Sequence, residues 1–168
     1  MKIFKTFGTL LSLLLLLSSC LKSGLDELPN SDLNSISTIT FEHRWIANNA
    51  NGYETLCRQA MTLSNNKPGV APLDKEIKTT ITVPAANDGT ASAPSAYNAF
   101  KTPVRNSVSR SQLYLFAVIS PAAKIEPVDG APVMGLPGDF SAGSYKYKVT
   151  SASGKSVIYT VTIDGFIK

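Results

Sequence analysis

Near the C-terminus of this chain, apolar and polar residues trade places at every second position, and that spacing constrains the fold more than any other feature. Tyr145, Tyr147 and Val149 alternate with Lys146, Lys148 and Thr150. After Ser151-Ala152-Ser153-Gly154 the pattern resumes, with Val157, Tyr159, Val161 and Ile163 against Ile158, Thr160 and Thr162. A period of two sends successive side chains to opposite faces of a strand. Gly154 can take the positive φ that a tight connection needs. The two segments therefore read as a β-hairpin with one face to bury.

The same period recurs upstream. Ile39, Phe41, His43 and Trp45 share one face, and Thr38, Thr40, Glu42 and Arg44 the other. Cys57, Met61 and Leu63 stand opposite Arg58 and Thr62, and Ile77, Thr79, Ile81 and Val83 opposite Lys78, Thr80 and Thr82. Leu113 to Ile119 is apolar on both faces, which predicts a central strand covered on both sides. No segment longer than about ten residues has a 3.6-residue period. Two stretches rich in Pro, Gly, Ala and Ser, Ala85–Arg110 and Pro121–Gly143, read as long connections, with a short helical turn near Tyr97 to Phe100. Many short strands without helices predict an all-β fold, an Ig-like β-sandwich over residues 35–168.

The N-terminus carries a different message. Lys2 and Lys5 precede an uncharged run, Thr9 to Leu17, that is shorter than the roughly 20 apolar residues of a membrane-spanning helix. A basic start, a short apolar core and small residues at its end describe a cleaved export signal. Its end, Leu17-Ser18-Ser19-Cys20, resembles the lipobox of bacterial lipoproteins. That resemblance implies cleavage before Cys20, diacylglycerol on its thiol and acylation of its new amino group. A thiolate is the nucleophile such chemistry requires. Residues 1–19 are thus expected to be a lipoprotein signal peptide and residues 20–34 a lipidated, polar tether. More than one acyl chain makes an anchor stable. The expected location is the outer membrane of a Gram-negative bacterium, on its surface or periplasmic face. The competing reading is an ordinary secretion signal with a chance cysteine, but charge, length and motif all agree with the lipobox.

With the signal removed, Lys2 and Lys5 no longer contribute to the formal net charge of +4. No dense Lys/Arg run marks a nucleic-acid surface, so no nucleic-acid partner is expected. If Cys20 carries lipid, Cys57 has no intramolecular partner and reads as a small buried hydrophobe.

Four segments together resemble a repeat of bacteroidete-type surface lipoproteins: Ala123–Gly130 around Ile125, Pro127 and Gly130; Asp139-Phe140-Ser141; Tyr145–Thr150; and Gly154–Thr162. Domains of that type have Ig-like or cadherin-like sandwich folds and mostly unknown function. The resemblance implies fold and lineage and transfers no catalytic or binding residue. This chain departs from it in the final turn, where Ser151-Ala152-Ser153 replaces the usual acidic residue.

Chemistry-bearing constellations are sparse. His43 is the one histidine, in phase with Phe41 and Trp45, and reads as packed at the sheet margin with one hydrogen bond made. Nothing in the sequence places Cys57 beside it, as a Cys–His enzyme would require. One histidine and one remaining cysteine are too few for a zinc site. Asp88, Asp129, Asp139 and Asp164 lie near glycines, a turn signal more than a calcium site. No phosphate loop, dinucleotide fingerprint or nucleophile elbow occurs, so no cofactor and no enzymatic activity are expected. Aromatic side chains near strand ends and in loops are the remaining lead, because a flat ring stacks on the apolar face of a sugar. Trp45, Tyr53, Tyr97 and Phe100 are the candidate ligand-binding residues. The expected function is a non-catalytic, membrane-anchored surface module that captures glycans or glycoproteins. The alternative is a structural or adhesion subunit that pairs with another envelope protein.

Overall fold

The computed structural model describes residues 31–64, 72–93 and 99–168. The elements in chain order are β1 (Ile36–Asn48), β2 (Glu54–Ala60), β3 (Thr62–Leu63), β4 (Glu76–Thr82), helix α1 (Thr102–Ser107), a 3-10 turn (Arg110–Gln112), β5 (Leu113–Ile119), β6 (Lys124–Val128), β7 (Pro137–Gly138), β8 (Ser144–Thr150) and β9 (Ser156–Ile167). They form two sheets, one ordered β2-β1-β5-β7 and the other β3-β4-β9-β8-β6. The four-stranded sheet is antiparallel throughout, whereas β4 and β9 run parallel in the five-stranded one. The all-β sandwich expected from the alternation is the fold this chain adopts. Cys20 and the segments proposed as signal peptide and early tether lie outside the described residues.

The two longest strands, β1 and β9, each sit inside a sheet, where both edges pair. Their alternation decides what the sandwich buries. Ile39 and Phe41 of β1 and Leu113 and Leu115 of β5 face Ile77, Ile81, Tyr147, Val149 and Val161 of the other sheet in one continuous core. Phe140 joins the layers. Its ring lies edge-on to Phe41 of β1 and to Tyr145 of β8, both at 5.1 Å. Such edge contacts match the ring quadrupoles and add to the area buried.

The Asp139-Phe140-Ser141 segment holds that ring in place by local chemistry. The Asp139 carboxylate accepts the Ser141 N–H at 2.8 Å, which makes a tight turn. The Phe140 N–H donates to the Arg110 carbonyl at 2.7 Å, and Arg110 Nε donates back to the Phe140 carbonyl at 2.9 Å. The predicted C-terminal hairpin forms with Thr150 opposite Ser156. Its loop closes through the Ser151 N–H on the Lys155 carbonyl at 2.9 Å, and Gly154 sits at φ +88° as the turn demands.

Three expectations change. The long connection expected over Pro121–Gly143 contains β6 and β7. Ile125 and Pro127 lie on the edge strand β6, where a missing N–H is tolerated. Asp129 and Gly130 then turn the chain with φ of 54° and 77°, closed by the Ala131 N–H on the Val128 carbonyl. The helical turn expected near Tyr97 to Phe100 is displaced to α1, which has proline at its start, where that residue's fixed φ suits a helix; residues 94–98 lie outside the described residues. Finally, β5 is buried on one side only. Leu113 and Leu115 are buried, while Tyr114, Phe116 and Val118 point away from the core. Among the described residues the sandwich has two layers, and no third one covers that face.

Candidate functional site: the outward face of the four-stranded sheet

Cross-strand register assembles a group of side chains that are far apart in sequence. Thr40 of β1 stands opposite Phe116 of β5, Glu42 opposite Tyr114, and Thr38 opposite Val118. On the other side of β1, Arg44 stands opposite Arg58 of β2 and Ile46 opposite Leu56. All of these side chains project outward. Arg44 lies along the face, its guanidinium carbon 4.6 Å from the centre of the Phe116 ring and 5.0 Å from that of Tyr114. Its Nε and Nη2 both donate to Glu42 Oε2, at 2.9 and 2.8 Å. Arg58 Nη1 approaches the other oxygen, Glu42 Oε1, at 3.7 Å.

This arrangement is fixed by charge and ring together. Glu42 is only 8% exposed, yet its carboxylate faces two guanidinium groups. A guanidinium over an aromatic face contributes about 0.5–2 kcal/mol, more as water is excluded. The Arg44–carboxylate contact is charge-assisted and therefore stronger than a neutral hydrogen bond. Around this floor lie exposed aliphatic groups: Ile46 (59%), Leu56 (57%) and Val118 (60%). The Gly135 backbone closes against the Phe116 ring, where an added Cβ would sit 3.7 Å from it.

The aromatic residues predicted as ligand contacts divide among several environments. Tyr53 is 70% exposed at the tip of the β1–β2 hairpin. Asn49 builds that tip by accepting the N–H groups of Asn51 and Tyr53 on its side-chain oxygen. Trp45 is half-buried on the inner side of β1, stacked on His43 at 5.9 Å and tilted against Phe100 at 5.8 Å. Phe100 is 1% exposed and belongs to the core, since its position just ahead of α1 turns it inward. The structure brings Trp45 and Phe100 together, but as packing rather than as a platform. Tyr97 and Cys20 lie outside the described residues.

His43, Trp45, Cys57 and Gln59 form an inner-face patch below the same strands, with His43 opposite Gln59 and Trp45 opposite Cys57. The hydrogen bond expected of His43 is not made: neither ring nitrogen has a partner, nor does Gln59 Oε1. Burial pushes the His43 pKa below its ordinary value, and the Lys168 cation pushes it the same way. Burial pushes the Cys57 thiol up. Among the described residues, no group of three or more His, Cys, Asp or Glu side chains is placed to hold a metal ion. No described helix is long and apolar enough to cross a membrane.

The outward cluster was hidden from sequence reasoning for a specific reason. Thr38 to Arg44 reads as a solvated row, and Leu113 to Ile119 reads as buried on both sides. Only the register that lays Tyr114 and Phe116 beside Glu42 and Thr40 turns the two rows into one surface. The detectable signal was Tyr114, whose phenol hydroxyl is an awkward occupant of a doubly buried strand.

A family model described as DUF5018-related matches residues 36–162. A solved structure of a Bacteroides fragilis protein, designated as secreted, is similar with a TM-score of 0.65 and 26% identity, over 83% of this chain and 100% of that one. A search of curated proteins finds no match. The chain belongs to the DUF5018-related family.

Proposed function

We propose that this DUF5018-related chain is an exported, lipid-anchored and non-catalytic binding module that captures glycans or glycoproteins at the cell envelope. The observation that carries this reading is the outward face of the four-stranded sheet. There Arg44, locked by Glu42, fixes Tyr114 and Phe116 beside exposed Ile46, Leu56 and Val118. A sugar offers an apolar ring face and a rim of hydroxyls. Exposed apolar side chains suit the first, and the largely exposed Arg58 guanidinium suits the second. Tyr53, at the tip of the same hairpin that carries Ile46 and Leu56, adds an aromatic ring within reach of a longer chain.

A binding role is favoured over a catalytic one by where the reactive side chains lie. His43 and Cys57 are both buried on the inner face, diagonal to each other across the β1–β2 ladder. Neither His43 ring nitrogen has a hydrogen-bond partner, and the Cys57 thiol donates to the Thr55 carbonyl at 3.6 Å. Export is supported by the secreted designation of the Bacteroides fragilis relative and by the signal-like N-terminus.

The test uses residues 31–168, which form one compact unit. A glycan array followed by calorimetry is expected to find a polysaccharide whose binding falls on Arg44→Ala and on Tyr53→Ala. Absence of binding across diverse polysaccharides overturns the glycan reading. For the anchor, labelled lipid is expected in the full chain and absent after Cys20→Ala; incorporation that persists in the variant overturns it.

A further inference from the structure

The backbone of β5 carries a second kind of surface. Phe41 of β1 accepts the Met61 N–H on its carbonyl at 2.8 Å, so the polar groups of Phe41 face the β2 side. Its partner across the other ladder is Leu115. In an antiparallel pair that does not exchange hydrogen bonds, both residues direct their N–H and C=O away from each other. The Leu115 carbonyl accordingly points outward from β1 and accepts the Gly135 N–H at 2.8 Å. Backbone direction repeats every second residue, so Ala117 and Ile119 point the same way. Ser120, one residue beyond, donates to the Ser35 carbonyl at 2.9 Å on the β1 side, which confirms the alternation.

On that outer side β5 is covered for only part of its length. β7 pairs with Leu113 and Tyr114 and no further. Before it the chain curls away, with the Leu136 N–H on the Val133 carbonyl. Among the described residues, none bonds to the outward N–H or C=O of Ala117 or Ile119. Val118 between them is exposed on the outward face, as are Val133 and Leu136 on the neighbouring loop.

Two other sheet edges carry protective devices among the described residues. β6 carries Pro127 with exposed Lys124 and Glu126, which blunt a pairing edge. At β2, Arg58 exchanges two backbone hydrogen bonds with Ser92. The open half of β5 has no such device.

We infer that the C-terminal half of β5, from Phe116 to Ile119, is a docking edge for one extended segment of a partner polypeptide with apolar side chains at alternate positions. A row of N–H and C=O groups in strand geometry is complemented by another extended backbone. The alternate side chains of that segment lie on Phe116 and Val118. The slot is short, bounded by Gly135 at Leu115 and by the turn at Pro121 and Ala122. Two folded chains in stable association bury about 1,200–2,000 Å². Two residues of open edge supply a small fraction of that, so a slim segment fits where a second copy of the domain does not. The hydrogen bonds of this edge come from backbone groups, whereas its side-chain contacts share Phe116 and Val118 with the face proposed for glycans.

Amide hydrogen exchange on residues 31–168 tests the edge directly. The Ala117 and Ile119 amides are expected to exchange fast in the free unit, and those of Phe116 and Val118, which face β1, slowly. A phage-displayed library of random peptides selected against the unit is expected to yield sequences with alternating apolar residues. A selected synthetic peptide should slow exchange at Ala117 and Ile119. Ala117→Pro removes an outward N–H and no ladder bond, and should weaken that peptide by about tenfold. Val118→Lys, a surface change, should weaken it as well and covers the case in which the proline variant fails to fold. Slow exchange at both amides in the free monomer overturns the proposal. So does a library that yields no binder, or binders that leave those amides unchanged. A concentration-dependent dimer that protects the two amides also overturns it, because a second copy would then be the occupant.

Discussion

The outward face of the five-stranded sheet carries Thr80, Thr82, Thr160 and Thr162 with Lys78, Lys146 and Lys148 and the separate exposed Ile158 and Ile167, while that of the four-stranded sheet carries Tyr114, Phe116, Val118, Ile46 and Leu56 around Arg44. Both faces come from the same period of two, and both back onto the same core. They differ in how charge is held. On the five-stranded sheet, Lys146 reaches Asp129 at 2.9 Å and Lys148 reaches Glu126 at 3.1 Å, with all four side chains well exposed. Such pairs contribute about 0–1 kcal/mol and are screened by salt. On the four-stranded sheet, Glu42 is nearly buried beneath Arg44, and the arginine lies on two rings. A surface that is mostly threonine and lysine is largely satisfied by water. An aromatic and aliphatic surface with a locked ion pair keeps apolar side chains in water on either side of a fixed charge.

Removing what the two faces share has the largest expected effect. Phe140→Ala empties the point where Phe41 and Tyr145 meet across the layers, and should cost about 3–5 kcal/mol in denaturant unfolding. A loss below about 1 kcal/mol would mean that the two layers are not coupled through this ring.

The comparison itself is broken most directly at Arg44. Arg44→Ala leaves the Glu42 carboxylate with Arg58 alone, at 3.7 Å, and should lower stability by about 1–3 kcal/mol. Lys148→Ala, its counterpart on the other face, should change stability by less than about 0.5 kcal/mol. Equal effects would erase the distinction between a locked and a solvated face.

Acid and alkali should separate the sheets as well. His43, beneath the four-stranded sheet, has a folded pKa below its ordinary value of 6.5. Below pH 6.5 the unfolded chain binds a proton that the folded chain refuses, so stability falls as pH drops through 6.5 toward the lower folded value. His43→Phe should flatten that part of the profile. Tyr147, in the five-stranded sheet, behaves in the opposite sense, because burial and the neighbouring Tyr145 push its phenol above its ordinary value of 10.0. Its contribution is intact below pH 10 and is lost as pH rises above that value. Unfolding curves from pH 4 to 11 for the parent, His43→Phe and Tyr147→Phe check both signs. The smallest effect is expected at Tyr53→Ala. That side chain is exposed, so stability should move by less than about 0.5 kcal/mol while glycan affinity falls.

How far the sequence carries depends on the range of the interactions involved. The C-terminal hairpin was legible because alternation, the small-residue loop and Gly154 are all local. The same holds for β1, β4 and the inward set of Tyr145, Tyr147, Tyr159 and Val161. β6 was not, because Pro127 and an Asp-Gly turn read as loop, and an edge strand tolerates both. Phe100 was misplaced as ligand-facing, since aromatic residues in loops serve cores and ligands alike and nothing local separates the two.

Period-two patterning, with no long helical period beside it, determined by itself that this chain would make a two-layer β-sandwich, because each strand has one face that must leave water. Tertiary structure decided which strands became neighbours. A side chain's periodicity fixes only the face on which it lies, whereas its cross-strand partners depend on register between distant segments. That register set Arg44 of β1 over Tyr114 and Phe116 of β5, and β7 meets β5 only at Leu113 and Tyr114.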